Sequence, residues 1–310
     1  MKYAVFIVKA VFQRDTELPP FKGSMLRGSM GHALKSTVCA VRVKICEPCL
    51  LRTNCVYARI FEVKPNLDQP TNQVNLPHPY VLDGSSINRQ FYKAGEEFKF
   101  SLLLFGKMIE FLPYFIYTFE LMGKKGLGRW TEEGRSEFSV TSVHFNENKI
   151  YEPSNPKLPS SLPYDLIELK NKKGDKSLRK LRVHFDTPLR MKDNGRFVRE
   201  LDFHLLLRAI LRRLKALLSE FSEEQWDLKE DELFKNADQI QLITNKLHWE
   251  DQTRYSSRQK TKQLMGGLRG HIELEGNLNP YMPLLRAAEI IHLGKETSFG
   301  LGKTRLEVLK

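Results

Sequence analysis

Histidine is the side chain that carries protons near neutral pH, but the sequence holds eight of them, so residue type alone selects none. Spacing selects one. In the stretch GSMLRGSMGHALKSTV, Leu26, Met30, Ala33 and Leu34 recur at helical intervals and form one apolar stripe. At about 100° of rotation per residue, the opposite face gathers Gly28, His32 and Lys35. His32 and Lys35 are i,i+3 neighbours there, close enough to act on one phosphate. An imidazole could move a proton while the ammonium offsets charge developing on phosphorus. Gly28 leaves that face open to the backbone of a ligand. His78 in LPHPY, Tyr57 and His292 are the reserves; His184 and His204 alternate with apolar neighbours and read as structural.

A polyanion partner is also what the charge calls for. Forty-nine Lys+Arg against 37 Asp+Glu give +12 and a pI near 9.4, which favours nucleic acid first and an acidic membrane surface second. From Gln252 to His271 the chain carries Arg254, Arg258, Lys260, Lys262 and Arg269 with no acidic residue, and Tyr255 among them offers a base-stacking ring. The adjoining glycines of MGGLRG permit close backbone approach. Arg27, on the helix that bears His32, joins this set of contacts. Near the C-terminus, HLGKETSFGLGK supplies Gly294, Lys295, Gly300, Gly302 and Lys303. Its glycines can turn successive N–H groups into an anion-binding nest, and its spacing is not that of a nucleotide-triphosphate loop.

All four cysteines fall in one irregular segment as C-x6-C-x2-C-x5-C: Cys39, Cys46, Cys49 and Cys55. The central C-x2-C is a chelating unit for a tetrahedral ion, so a structural zinc is the first expectation and an iron–sulfur cluster the second. Neither would take part in catalysis.

The elements that must position these groups repeat. The first half reads as a strand over 2–12, a helix over 24–38, the cysteine segment, strands at PYVLDG and EEFKFSLLLFG, a helix at KMIEFLPYFIYTFELMG, a loop GKKGLGRW and a strand EFSVTSVHF. The second half reads as KLRVHF, the helix LDFHLLLRAILRRLKALLSEF, an acidic solvated insertion from Glu220 to Asp238, strands at IQLITNKLHW and GHIELEG, the helix YMPLLRAAEIIHLG, the glycine loop and TRLEVLK. Both halves therefore follow the βαββαβ ferredoxin-like order, with a Gly-Lys loop before each final strand. The expected fold is α+β: two tandem ferredoxin-like (RRM-like) domains, 1–146 with a cysteine-rich insertion at 39–62, and 178–310 with its glycine-rich loop at 294–302. Residues 147–177, rich in Pro, Asn, Lys and Ser, join them as a linker. No run is long enough to span a membrane and the first residues lack a signal-peptide pattern, so a cytoplasmic protein is expected.

These stretches resemble a known family. LPPFKGSMLRGSMGHALK, CVYARIFE, FKFSLLLFG, MGKKGLGRW, VHFDTPLRMK, RYSSRQ, MGGLRGHIELEG and LGKETSFGLGK occur in the order seen in the RAMP-superfamily endoribonucleases that process precursor CRISPR RNA. The resemblance implies cleavage without metal, in which the ribose 2′-hydroxyl attacks the adjacent phosphorus and leaves a 2′,3′-cyclic phosphate. It implies a catalytic His on or just after the first helix, where His32 stands, and CRISPR repeat RNA or crRNA as partner. Delivery to a CRISPR effector complex, retention of the product, and a monomer or homodimer belong to the same expectation. The competing reading is a RAMP subunit that binds guide RNA without cutting it; a DNA-binding regulator lacks any recognition-helix pattern.

Overall fold

A computed structural model describes residues 1–63, 76–170, 178–224, 230–256 and 261–309, without the side chains of Tyr255 and Ser256. The chain divides into two compact units, Lys2–Asp165 and Leu166–Lys310, the latter taking in Met1.

The Lys2–Asp165 unit runs β1 (Lys2–Phe12), β2 (Thr16–Glu17), α1 (Lys22–Val38), α2 (Val56–Phe61), β3 (Tyr80–Asp83), β4 (Phe91–Tyr92), β5 (Glu97–Phe105), α3 (Leu112–Lys125), β6 (Leu127–Thr131), β7 (Gly134–Ser136), β8 (Phe138–Phe145) and β9 (Asn148–Tyr151). Its main sheet is ordered β3-β5-β1-β8-β9 with antiparallel neighbours. Strict alternation on β1 puts Ala4, Phe6, Val8, Ala10 and Phe12 at 1% exposure or less, on the core side of the sheet. Phe100, Phe115 and Phe119 fill the same core, each worth roughly 1.5–3 kcal/mol of burial. Leu26, Met30, Ala33 and Leu34 of α1 are buried, the stripe that the sequence spacing predicts.

Two expectations need correcting here. GKKGLGRW is not a bare loop, since Leu127–Thr131 pairs with Gly134–Ser136 as a hairpin. The stretch expected as a linker begins too early: β9 pairs with β8, and the units divide after Asp165, where the two-residue strand β10 (Asp165–Leu166) lies. Residues 171–177 of that stretch lie outside the described residues.

The Leu166–Lys310 unit runs β11 (Lys180–Leu189), β12 (Lys192–Asp193), β13 (Arg196–Phe197), α4 (Phe203–Phe221), α5 (Glu230–Ala237), β14 (Gln241–Asn245), β15 (His248–Glu250), β16 (Thr253–Ser256), β17 (Thr261–Leu264), β18 (Gly267–Glu275), α6 (Met282–Ile291) and β19 (Thr304–Val308). The sheet order β14-β18-β11-β19 repeats β3-β5-β1-β8 of the first unit, the ferredoxin-like arrangement in both. Asp202 caps α4, its Oδ1 accepting the Leu205 N–H at 2.7 Å. The acidic segment is not wholly solvated: α5 forms within it, Ala237 is buried, and the Leu233 carbonyl accepts from the Tyr281 hydroxyl at 2.9 Å. Residues 225–229 lie outside the described residues. No helix among the described residues is long and apolar enough to cross a membrane.

Candidate functional site

Around α1 the structure gathers cations and aromatic rings. His32 is exposed, and a Cβ built at Gly28 meets nothing within 4 Å, so this face is open as the spacing implies. Lys35 is half-buried: its Nζ donates to the Lys44 carbonyl at 2.9 Å and lies 5.3 Å from the Tyr57 ring. Tyr57 stacks on Phe61 at 5.3 Å, and the Arg27 guanidinium covers Phe61 at 4.5 Å. Phe61 reaches this position because residue 31 is glycine; a Cβ there would sit 2.6 Å from Phe61 Cε1. His78 Nδ1 is 3.2 Å from the Ile60 carbonyl, and its ring is 5.6 Å from that of Tyr80. Burial pushes the Tyr80 phenol up to about 12, against the charge of Arg27, which favours the phenolate. Thus His32 and Lys35 share a helix face, while Arg27, expected to meet RNA, is partly committed to the aromatic cluster. Tyr57 and His78, the reserves, belong to that cluster, whose connection to α1 was not legible because it is made across separate elements.

The cysteine segment between α1 and α2 is built from turns, and no residue from Cys39 to Cys55 is buried. All four thiols are free and half-buried. Among the described residues no three His, Cys, Asp or Glu side chains converge to hold an ion, so the expected ligand set is not assembled as placed.

In the Leu166–Lys310 unit the glycine loop is a tie. Gly302 adopts φ 73°, and a Cβ there would lie 1.8 Å from the Leu293 carbonyl oxygen. The N–H of Lys295 donates to Arg190 O at 2.7 Å, that of Gly300 to Thr297 O at 2.8 Å, and that of Gly302 to Pro188 O at 3.0 Å. Those three donors are consumed by protein carbonyls, so the anion-binding nest expected at Gly294, Gly300 and Gly302 is not formed by them. His292 is buried in the same tie, its Nδ1 3.1 Å from the Leu301 carbonyl, which removes it as a reserve proton carrier. The loop still presents exposed Lys295 and half-buried Lys303, while its buried Phe299 ring lies 5.0 Å from the Arg254 guanidinium.

Arg254 sits on the hairpin β16–β17, fixed by Gln263 Oε1 at 2.5 and 2.8 Å. Lys262 is exposed opposite Tyr255 in the register. Arg269 is exposed but paired with Glu250 at 2.7 Å. The Tyr255 side chain, Arg258 and Lys260 lie outside the described residues. The MGGLRG glycines serve protein packing: a Cβ on Gly266 would meet Trp249 Nε1 at 2.4 Å, and one on Gly270 the Lys246 carbonyl at 2.2 Å.

Comparison with known proteins agrees with this architecture. A family model described as the CRISPR-associated endoribonuclease Cas6 matches residues 183–304, and one described only as an N-terminal domain matches residues 1–162. An uncharacterized protein of Archaeoglobus fulgidus is 22% identical over 295 residues, 93% of this chain and 92% of its own. Among solved structures, a Cas6 product complex aligns with a TM-score of 0.56 at 15% identity, covering 99% of both chains. A Thermus thermophilus Cas6 aligns at 0.54 and 12%, over 99% of this chain and 98% of that one. A partial Cas6-RT-Cas1–Cas2 complex aligns at 0.59 and 13% over 99% of this chain, which spans only 46% of the matched one. These solved Cas6 structures share the fold of the chain, tandem ferredoxin-like units. Over residues 183–304 the chain is thus similar to the Cas6 family of CRISPR-associated endoribonucleases.

Proposed function

We propose that this chain cuts precursor CRISPR RNA within its repeats by attack of a ribose 2′-hydroxyl on the adjacent phosphorus, leaving a 2′,3′-cyclic phosphate and a 5′-hydroxyl. The observation that carries the reading is the outer face of α1, where exposed His32 stands between the open side of Gly28 and Lys35. Because the RNA supplies its own nucleophile, the protein has to move protons and offset charge, and no metal is required for that step. His32 is the proton carrier. Lys35, with one ammonium proton given to the Lys44 carbonyl, has two left for the phosphate. Arg254, Tyr255, Arg258, Lys260, Lys262 and the side chains of Lys295 and Lys303 hold the strand. Repeat RNA and the released crRNA are the partners in this proposal, with a CRISPR effector complex receiving the product. The protein works in the cytoplasm as a monomer or homodimer.

A structural zinc belongs to the same proposal. The segment from Cys39 to Cys55 has no core of its own and leaves Ile45 67% and Leu50 85% exposed, while its four thiols are among its few half-buried side chains. An ion joining those thiols would supply the cross-link that buried apolar area does not.

Incubation with repeat RNA in EDTA, with the product ends mapped, tests the reaction. A single cut ending in a cyclic phosphate is expected. Tight binding with no cut would overturn it in favour of an RNA-holding RAMP subunit.

A further inference from the structure

Asn194 and Gly195, with φ of 46° and 80°, turn the chain tightly between β12 and β13. That register sets Lys192 directly opposite Phe197, with the ammonium 4.9 Å from the ring centroid. The Arg190 guanidinium covers the same ring at 4.0 Å and is itself oriented by the Gly266 carbonyl at 2.7 Å. Phe197 meets Trp249 of β15 edge-on at 6.1 Å, and the Arg199 guanidinium lies 3.5 Å from the Trp249 centroid. Asp251 anchors the indole N–H at 2.9 Å. Lys192, Arg196 and Arg199 are exposed. Elsewhere Arg14, Arg89, Arg129, Arg182 and Arg305 are paired with carboxylates. Among the described residues, Arg190, Lys192, Arg196 and Arg199 have no such partner. Three cations, Arg190, Lys192 and Arg199, are thus set against two aromatic rings, with Arg196 on the same hairpin, and none of the four is spent on a carboxylate.

We propose that the β12–β13 hairpin and Trp249 form a contact surface for unpaired RNA. Bases stack on the Arg199–Trp249 and Arg190–Phe197 pairs, while Lys192, Arg196 and Arg199 meet phosphates. Guanidinium planes and aromatic rings both accept a base face, and only unpaired nucleotides can offer one. Cations without carboxylates are what a phosphate chain requires, because their charge is not already neutralised. This rests on the reading that the chain acts on RNA, and it assigns the part of the substrate outside any duplex to a named surface.

Trp130→Phe with Trp226→Phe leaves Trp249 as the only indole and thus as the reporter. Oligouridylate is expected to quench its emission saturably, and an RNA duplex of equal length is not. In a Lys192→Ala, Arg196→Ala, Arg199→Ala variant, whose changes are all at exposed positions, the log–log salt slope of oligouridylate binding should fall by about 2, at ~0.7 per single-strand phosphate contact. Trp249→Ala should weaken binding by about 5-fold or more. Absent quenching with an unchanged slope overturns the surface and leaves the cleavage proposal standing if repeat RNA is still cut. Equal binding of polyglutamate, with the same loss in the triple variant, also overturns it by showing a site for any acidic chain. Quenching and the slope change without cleavage of repeat RNA would support the surface and refute the nuclease.

Discussion

Gly28 and Gly31 lie three residues apart in α1, yet alanine at the two positions should act in opposite directions. Alanine in a helix interior gains roughly 0.5–1 kcal/mol over glycine. At Gly28 the added Cβ meets nothing within 4 Å, so the gain is kept. At Gly31 it comes within 2.6 Å of Phe61 Cε1 and 3.0 Å of Cζ. That ring is rigid and held by Arg27 at 4.5 Å, Tyr57 at 5.3 Å and Tyr80 at 5.7 Å, so it has little room to give. Overpacking of this kind costs about 1–3 kcal/mol. The propensity gain is common to both variants and cancels. Gly28→Ala should therefore be more stable than Gly31→Ala by about 1–3 kcal/mol, at about 2–4 °C of melting temperature per kcal/mol for a unit of this size. Urea unfolding followed by circular dichroism, with a thermal melt, measures the difference. Equal stability would show that Phe61 is not seated against α1. The same pair of proteins tests the site. If RNA passes Gly28, Gly28→Ala should be more stable than the parent and slower in cleavage. A more stable variant cutting at the parental rate would refute approach from that side.

His32→Ala should lower the single-turnover cleavage rate by roughly 100-fold or more while leaving RNA affinity nearly intact; a rate within about 3-fold of the parent (~0.7 kcal/mol) would move the search to Tyr57 and His78. In the second unit, burial holds the His271 imidazole below its usual 6.5, aided by the charges of Arg182 and His184 and opposed by Glu273 and Glu307. The unfolded chain then takes up that proton first, so stability should be full above pH 6.5 and decline as the pH falls toward the depressed value, a decline that His271→Gln should remove from urea titrations. Glu273 is held below its usual 4.5 mainly by Arg182 and Glu307 mainly by His184, so their contributions should be lost only below pH 4.5. Protein purified without added metal should carry close to one zinc per chain by elemental analysis, and reduced protein free of both zinc and iron would end that proposal.

The fold was legible because its evidence is periodic. Alternation on β1 and on KLRVHF marks a sheet with one packed face, and the Leu26, Met30, Ala33, Leu34 stripe marks α1. Both survive in a single sequence because burial depends on which face a residue occupies, and position along an element decides that. The short hairpins were missed for the converse reason. Two to five residues such as Lys192–Asp193 or Leu127–Thr131 show no period, and only the Asn194–Gly195 turn could have signalled one of them.

The site was legible in part, and the division has one physical cause. Exposure of His32 follows from its place on a helix and could be foreseen. What a glycine or a cation touches depends on segments distant in sequence. Gly302 looked like a phosphate cradle until the Leu293 carbonyl was found 1.8 Å from where its Cβ would be. Arg269 looked like part of a run free of acids until β15 placed Glu250 beside it, 2.7 Å away. The reverse holds for Arg190, Lys192, Arg196 and Arg199, which sit in sequence near Asp186, Asp193 and Glu200 yet pair with none of them. A net charge of +12 says only that some cations have no partner. Pairing across strands decides which they are, and Arg190, Lys192 and Arg199, left without carboxylates and set against aromatic rings, are the ones that the proposed RNA surface uses.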